Sequence, residues 1–149
     1  MKKELTPEQI ENIRKDPDKQ DWNDLSRDYK LLEDFIIEFQ YLVNWKCISI
    51  SQKLSEDFIK KFAYYVDWDY ISKYQVLSEN FIREYKNKLN WYCILIYQKL
   101  SEEFFLEFES KLLDKDYFKE CCRNKNFNNI KHYLRHGIKF NNKLRKSLL

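Results

Sequence analysis

The sequence predicts an all-α protein, an α-solenoid of short helical hairpins with capping helices at both ends. Three observations carry this. Tryptophan falls at positions 22, 45, 68 and 91, a spacing of 23 residues. The apolar residues between recur at helical spacing and do not alternate as in a strand. The 149 residues include a single glycine and two prolines, and both prolines lie before residue 18, so from Trp22 onward the strongest helix breaker is absent.

Eight positions keep the 23-residue register through four copies. Counting from tryptophan, Leu25, Ile48, Ile71 and Ile94 come three on, and Leu31, Leu54, Leu77 and Leu100 nine on. Glu33, Glu56, Glu79 and Glu102 stand at eleven. Phe35, Phe58, Phe81 and Phe104 stand at thirteen, with Ile36, Ile59, Ile82 and Phe105 beside them. Phe39, Phe62, Tyr85 and Phe108 follow at seventeen, and Val43, Val66, Leu89 and Leu112 at twenty-one.

Each element follows from one copy. Ser55 is placed to cap a helix whose first turn carries Glu56 and Asp57, which suits the free N–H groups and the dipole of a helix start. Phe58, Ile59, Phe62, Tyr65 and Val66 then trace one helical face, for a helix of about three turns. Asp67, like Asn44 and Asn90, opens a second helix of about two turns, along which Trp68, Ile71 and Tyr74 lie on one side. Neither helix buries its apolar face alone, and stacked hairpins do. Gln52, Gln75 and Gln98 end the second helix and are expected to satisfy backbone groups at the hairpin turn, where no glycine is available.

This gives three segments. Residues 1–21 form a capping helix, opened by Thr6-Pro7-Glu8-Gln9, and a polar linker from Arg14 to Gln20. Residues 22–113 form the array. Residues 114–149 form a basic helical cap, with ten Lys/Arg against three Asp/Glu, hence +7, on a chain whose net charge is +3.

A lone glycine excludes the dinucleotide fingerprint and the phosphate loop, which need several. With no long apolar run and no signal-peptide pattern at the start, the expected location is intracellular, in the cytoplasm, with no membrane contact. The only histidines, His132 and His136, follow Cys121 and Cys122, but adjacent cysteines make awkward zinc ligands. Nor does the sequence offer a glycine-built oxyanion turn beside Cys122 and His132. No catalytic residue, metal or cofactor is therefore expected.

The run Asn44-Trp45-x-x-Ile48-Ser49-x-x-Gln52-x-Leu54-Ser55-Glu56-x-Phe58-Ile59, and its copies between Trp22 and Leu113, resemble the short helical repeats of giant DNA virus proteins. Similar runs occur in some phage and bacterial proteins. The first copy departs, with Tyr29 for glutamine and Leu32 for serine. The resemblance implies architecture and no shared chemistry. Asn128 to Ile138 is similar to the second helix and glycine turn of an ankyrin unit, without that unit's Thr-Pro-Leu-His opening.

Consensus aromatics are assigned to the core. The functional candidates are residues outside the consensus: Tyr64, Tyr70 and Tyr92, with Lys46 and Lys73 at neighbouring variable positions, as a surface for a protein partner. Tyr41 belongs to the same set of non-consensus rings. If the viral resemblance holds, the partner is a host protein that the chain blocks or recruits. The first alternative is binding of nucleic acid through Lys131, Arg135, Lys139, Lys143 and Arg145, or of a nucleotide between hairpins. The second is a structural protein that assembles end to end; the oligomeric state stays open.

Overall fold

The computed structural model describes residues 2–108 and Lys111. These residues are mostly helical, the helices joined by short turns, and they fall in two compact units divided between Leu77 and Ser78. The first unit begins with β1 (Lys3–Glu4), α1 (Pro7–Lys15), a 3-10 turn at Pro17–Lys19 and α2 (Trp22–Asp28). It continues with β2 (Tyr29–Lys30), α3 (Glu33–Glu38), α4 (Trp45–Ser51), α5 (Glu56–Lys61) and α6 (Trp68–Tyr74). The second unit holds α7 (Glu79–Glu84), α8 (Trp91–Tyr97) and α9 (Glu102–Glu107). No helix among the described residues is long and apolar enough to cross a membrane.

The expected caps form. Ser55 accepts from the Phe58 N–H, Asn44 from that of Cys47, and Asp67 from those of Asp69 and Tyr70. Leu32, in the departing first copy, has no side chain that can do this. The first helix of each hairpin is shorter than three turns, however. It runs only six residues, and at Phe62 the backbone leaves helical geometry (φ −108°, ψ 29°). The N–H groups of Tyr65 and Val66 then both fold back on the Phe62 carbonyl, at 2.9 and 3.1 Å. The tryptophan holds the turn that follows. Its indole N–H takes the carbonyl five residues back, Ala63 for Trp68 (3.1 Å) and likewise Pro17, Gln40 and Lys86 for Trp22, Trp45 and Trp91 (2.9 Å each). A carbonyl turned toward the indole is lost to a continuing helix.

The core is made of the repeat positions. Phe58, Ile59, Phe62, Val66 and Ile71 are buried, as are their equivalents Phe35, Ile36, Phe39, Val43 and Ile48. Trp45, half-buried, lies 4.9 Å from Phe62 and 6.2 Å from Phe58 between ring centroids, and Trp22 is 4.9 Å from Phe39. Trp22 and Trp45 thus seal their hairpins against the next first helix. In the second unit Trp91 makes the same contact with Phe108, at 5.1 Å.

What joins one repeat to the next is polar. In the first unit α4 packs on α2, and α6 on α4. The Gln52 amide, buried at this seam, accepts from the Leu31 N–H at 3.0 Å and donates to the carbonyls of Ser26 and Tyr29, both at 2.8 Å. Gln75 repeats this one copy later, with the Leu54 N–H and the carbonyls of Ser49 and Gln52. The glutamine therefore satisfies backbone groups as expected, but those of the preceding repeat and not of its own turn. Buried Ser26 and Ser49 work in the other direction, accepting at 3.0 Å from the cap N–H of Asn44 and Asp67 in the following repeat. At the outer rim the Glu33 carboxylate accepts from the N–H and hydroxyl of Ser55, and in the second unit Glu79 accepts from the Ser101 N–H. Among the described residues, every buried side-chain nitrogen and oxygen has a partner.

The N-terminal segment is more than a cap and a linker. Ile13, buried, stands 23 residues before Ile36, and Trp22 bonds to Pro17 as the later tryptophans bond to their turns. Arg14 and Glu38 form a two-bonded ion pair (2.8 and 2.9 Å), with the same separation in sequence as the Arg83–Glu107 pair of the second unit. So α1 is the first helix of an incomplete repeat and the polar stretch is its turn. Asn12 and Asp16 replace the two phenylalanines, which hides it. β1 pairs in parallel with β2, Lys3 against Tyr29, beside the end of α2. The expected C-terminal cap, 114–149, lies outside the described residues.

Two outcomes follow. Gln52→Leu leaves the Leu31 N–H and the Ser26 carbonyl without this amide, at ~1–3 kcal/mol each, and leaves the Tyr29 carbonyl with only the Lys2 ammonium, so urea denaturation should show a loss of about 2 kcal/mol or more. Gln52→Glu should be weaker still at pH 7; burial raises the new carboxyl's pKa, so its deficit relative to wild type should shrink as pH falls toward 5. For the surface pair, the hydrogen bond from Arg14, and then its charge, holds the Glu38 carboxyl below its ordinary range. A lowered folded-state pKa adds stability above the unfolded value and loses it as pH falls through the folded one. Arg14→Gln should therefore lower the urea midpoint slightly at pH 7, with no difference once acid protonates Glu38.

Candidate functional site

Core and seam consume most repeat positions. What remains free to vary is the outward side of the second helices α4 and α6, at one, two, five and six residues after the tryptophan. In α4 these are Lys46, Cys47, Ile50 and Ser51, and in α6 Asp69, Tyr70, Lys73 and Tyr74. Because α6 packs on α4, the two sets face the same way. The Lys46 ammonium lies over the Tyr70 ring at 5.4 Å. Tyr70 and Tyr74, one turn apart, stack with centroids 6.0 Å apart and planes at 30°. The Lys73 ammonium lies 5.0 Å from the Tyr74 ring. Each such pair is worth ~0.5–1 kcal/mol at an exposed site, a bias toward rotamers that lie over the rings.

Of the sequence candidates, Lys46, Tyr70 and Lys73 thus come together, Lys46 exposed and the other two half-buried. Tyr64 is in the turn between α5 and α6 and is 96% exposed; Tyr41, one repeat earlier, is also exposed. Tyr92 belongs to the second unit, half-buried at the start of α8. Tyr74 was expected on the buried side with Trp68 and Ile71. It is 47% exposed and completes the cluster, because six residues after Trp68 the helix has turned it outward, past the Ile71 face. The signal was its place one turn after Tyr70.

The same outward side continues onto α2 and β1. Arg27 is held by Asp24 and Asp28, and its hydrogen bond is the main cause of the lowered pKa of Asp28. Lys2 and Lys3 stand beside this group. Burial lowers the pKa of Lys2, opposed by the nearby Asp28 and Cys47, and Lys3 lies over the Tyr29 ring at 5.6 Å.

A second feature was not anticipated. A cleft of about 270 Å³ is lined by Leu5, Ile10, Leu31, Leu32 and Phe35, with Glu4 and Lys30 at its rim. Elsewhere the rim between first helices is closed by Glu33 on Ser55, or Glu79 on Ser101. Here Ile10 and Leu32 hold those two register positions, so that carboxylate–serine contact is missing, and Leu32 is 70% exposed. Leu32 in the place of serine was the visible sign.

No group of three or more His, Cys, Asp or Glu among the described residues is placed to hold a metal ion. Lys131, Arg135, Lys139, Lys143 and Arg145, like Cys121, Cys122, His132 and His136, lie outside the described residues.

Tyr70→Ala should leave the helical circular-dichroism signal intact and cost less than a core substitution. Phe58→Ala, by contrast, should lose ~3–5 kcal/mol in urea denaturation. Equal losses would place Tyr70 in the core.

No family model matches the chain, and no curated protein or solved structure is significantly similar to it.

Proposed function

We propose that the protein is a non-enzymatic binding module that holds a protein partner on the outward side of α4 and α6. One observation carries this reading: Lys46, Tyr70, Tyr74 and Lys73, all outside the repeat consensus, make one cation–aromatic cluster on a rigid helical face. Tyrosine supplies contact area and a hydroxyl at small entropic cost, which is why it is enriched where proteins meet. Rings already in contact with one another have less to order on binding. The module works inside the cell, in the cytoplasm; if its repeats share descent with the viral proteins they resemble, the partner is a host factor that it blocks or recruits.

The charge of +7 over residues 114–149 favours a second reading, nucleic-acid contact through Lys131, Arg135, Lys139, Lys143 and Arg145.

A tagged pull-down from lysate, nuclease-treated and untreated, decides between them. A stoichiometric protein that survives nuclease and is lost with Tyr70→Ala supports the first reading. Recovery of nucleic acid alone, falling steeply with salt and insensitive to Tyr70→Ala, supports the second and overturns the first.

A further inference from the structure

Two later seams share a polar contact that the first seam lacks. The Glu33 carboxylate accepts from the Ser55 N–H at 2.5 Å, and Glu79 accepts from the Ser101 N–H at 2.5 Å. One register earlier Ile10 and Leu32 hold these two places. The backbone is nonetheless the same: Leu32 is extended (φ −77°, ψ 152°), as Ser55 is (φ −74°, ψ 155°). Among the described residues no carboxylate takes the Leu32 N–H. Ile10 and Leu32 both line the apolar cleft, with Leu5, Leu31 and Phe35. Lys30 stands at its rim and donates one of its three ammonium N–H groups to Glu4, at 3.1 Å. The charge of Glu4 is thereby compensated, and Lys30 keeps two donors for another acceptor.

We propose that this cleft takes the carboxyl-terminal residue of a partner peptide, with a branched aliphatic or aromatic side chain. The carboxylate meets the Leu32 N–H and the Lys30 ammonium, in the place that Glu33 and Glu79 fill in the later seams. The side chain lies against Ile10, Leu31 and Phe35. A cavity of ~150 Å³ holds a benzene ring, so a cleft of about 270 Å³ has room for one such side chain. A chain end suits the site better than an internal segment, because a single residue brings both the charge and the apolar group. The site is separate from the tyrosine cluster on α4 and α6 and does not depend on what that cluster binds.

The test is a titration of the ¹⁵N-labelled full chain with the peptide Ser-Ser-Ser-Leu bearing a free carboxyl end. Comparison ligands are its carboxamide, Ser-Ser-Ser-Ser with a free carboxyl end, and hexanoate. The leucine peptide should shift the amides of Ile10, Leu31, Leu32 and Phe35. The Leu32 amide proton should move downfield, as it does on gaining a charged acceptor. The carboxamide, which lacks the charge, and the serine peptide, which lacks the apolar group, should each bind about fivefold more weakly or worse. Ile10→Glu combined with Leu32→Ser recreates the contact of the later seams, so it should abolish binding while circular dichroism stays helical. Lys30→Gln, at an exposed position, should weaken the acid peptide several-fold and leave the carboxamide unchanged. Equal binding of acid and carboxamide overturns the proposal, as do shifts that are absent from this cleft. Hexanoate binding as tightly as the leucine peptide makes the ligand a small free acid and overturns the peptide assignment.

Discussion

The buried amide at the seam is the interaction on which this architecture depends. A copy of 23 residues ends its second helix in extended backbone, and that backbone has N–H and carbonyl groups with no helical partner. Leaving such groups unpaired away from water is costly. Glycine-rich turns and ordered strands would be the usual remedies, and a chain with one glycine has little of the first. Gln52 and Gln75 solve it with one acceptor and two donors on a side chain short enough to be held rigidly. Because the satisfied groups belong to the previous copy, each repeat completes its neighbour. Local order and stacking become one event, as in other repeat proteins where stability resides in the interfaces.

The departures at the N-terminal end follow from the same constraint. At position 29 the first copy lacks the glutamine of the later copies. Tyr29 stands there, and the strand Lys3–Glu4 pairs with its backbone. At the other end of the array, Leu95, buried, replaces the serine that would accept from the next repeat's cap N–H. Leu113 stands where that Asn or Asp cap would be. The two changes match: with no polar cap to come, an apolar residue suits the buried position better than an unpaired hydroxyl.

The division of labour within the repeat also explains where recognition is possible. Apolar positions fill the core, while serine, glutamine and the rim glutamate make the seams. The outward residues of the second helices answer to neither demand, so they vary in chemistry from copy to copy: acid and guanidinium on α2, lysine on α4, tyrosine and lysine on α6. A face built in this way is held rigid by bonds it does not itself contribute.

Much of the fold was legible in the sequence, because a repeated register places the same residue in the same surroundings four times. The apolar periods identified the core, and the Ser, Asn and Asp caps identified the helix starts. The helix lengths and α1 were legible only in part. Nothing local says that the helix will end at Phe62 or that an indole will claim the carbonyl five residues back, and Asn12 and Asp16 hid a half-repeat behind polar residues. Of the candidate site, the sequence picked out the variable positions and therefore Lys46, Tyr70 and Lys73. It could not bring Lys46 over Tyr70, since their 24-residue separation becomes contact only when α6 lies on α4. Nor could it tell that glutamine reaches backward to the preceding repeat, or that Ile10 and Leu32 leave a cleft. Patterns within one helix are set by its own geometry and can be read from spacing; contacts between helices depend on how they pack, and only the tertiary structure decides those.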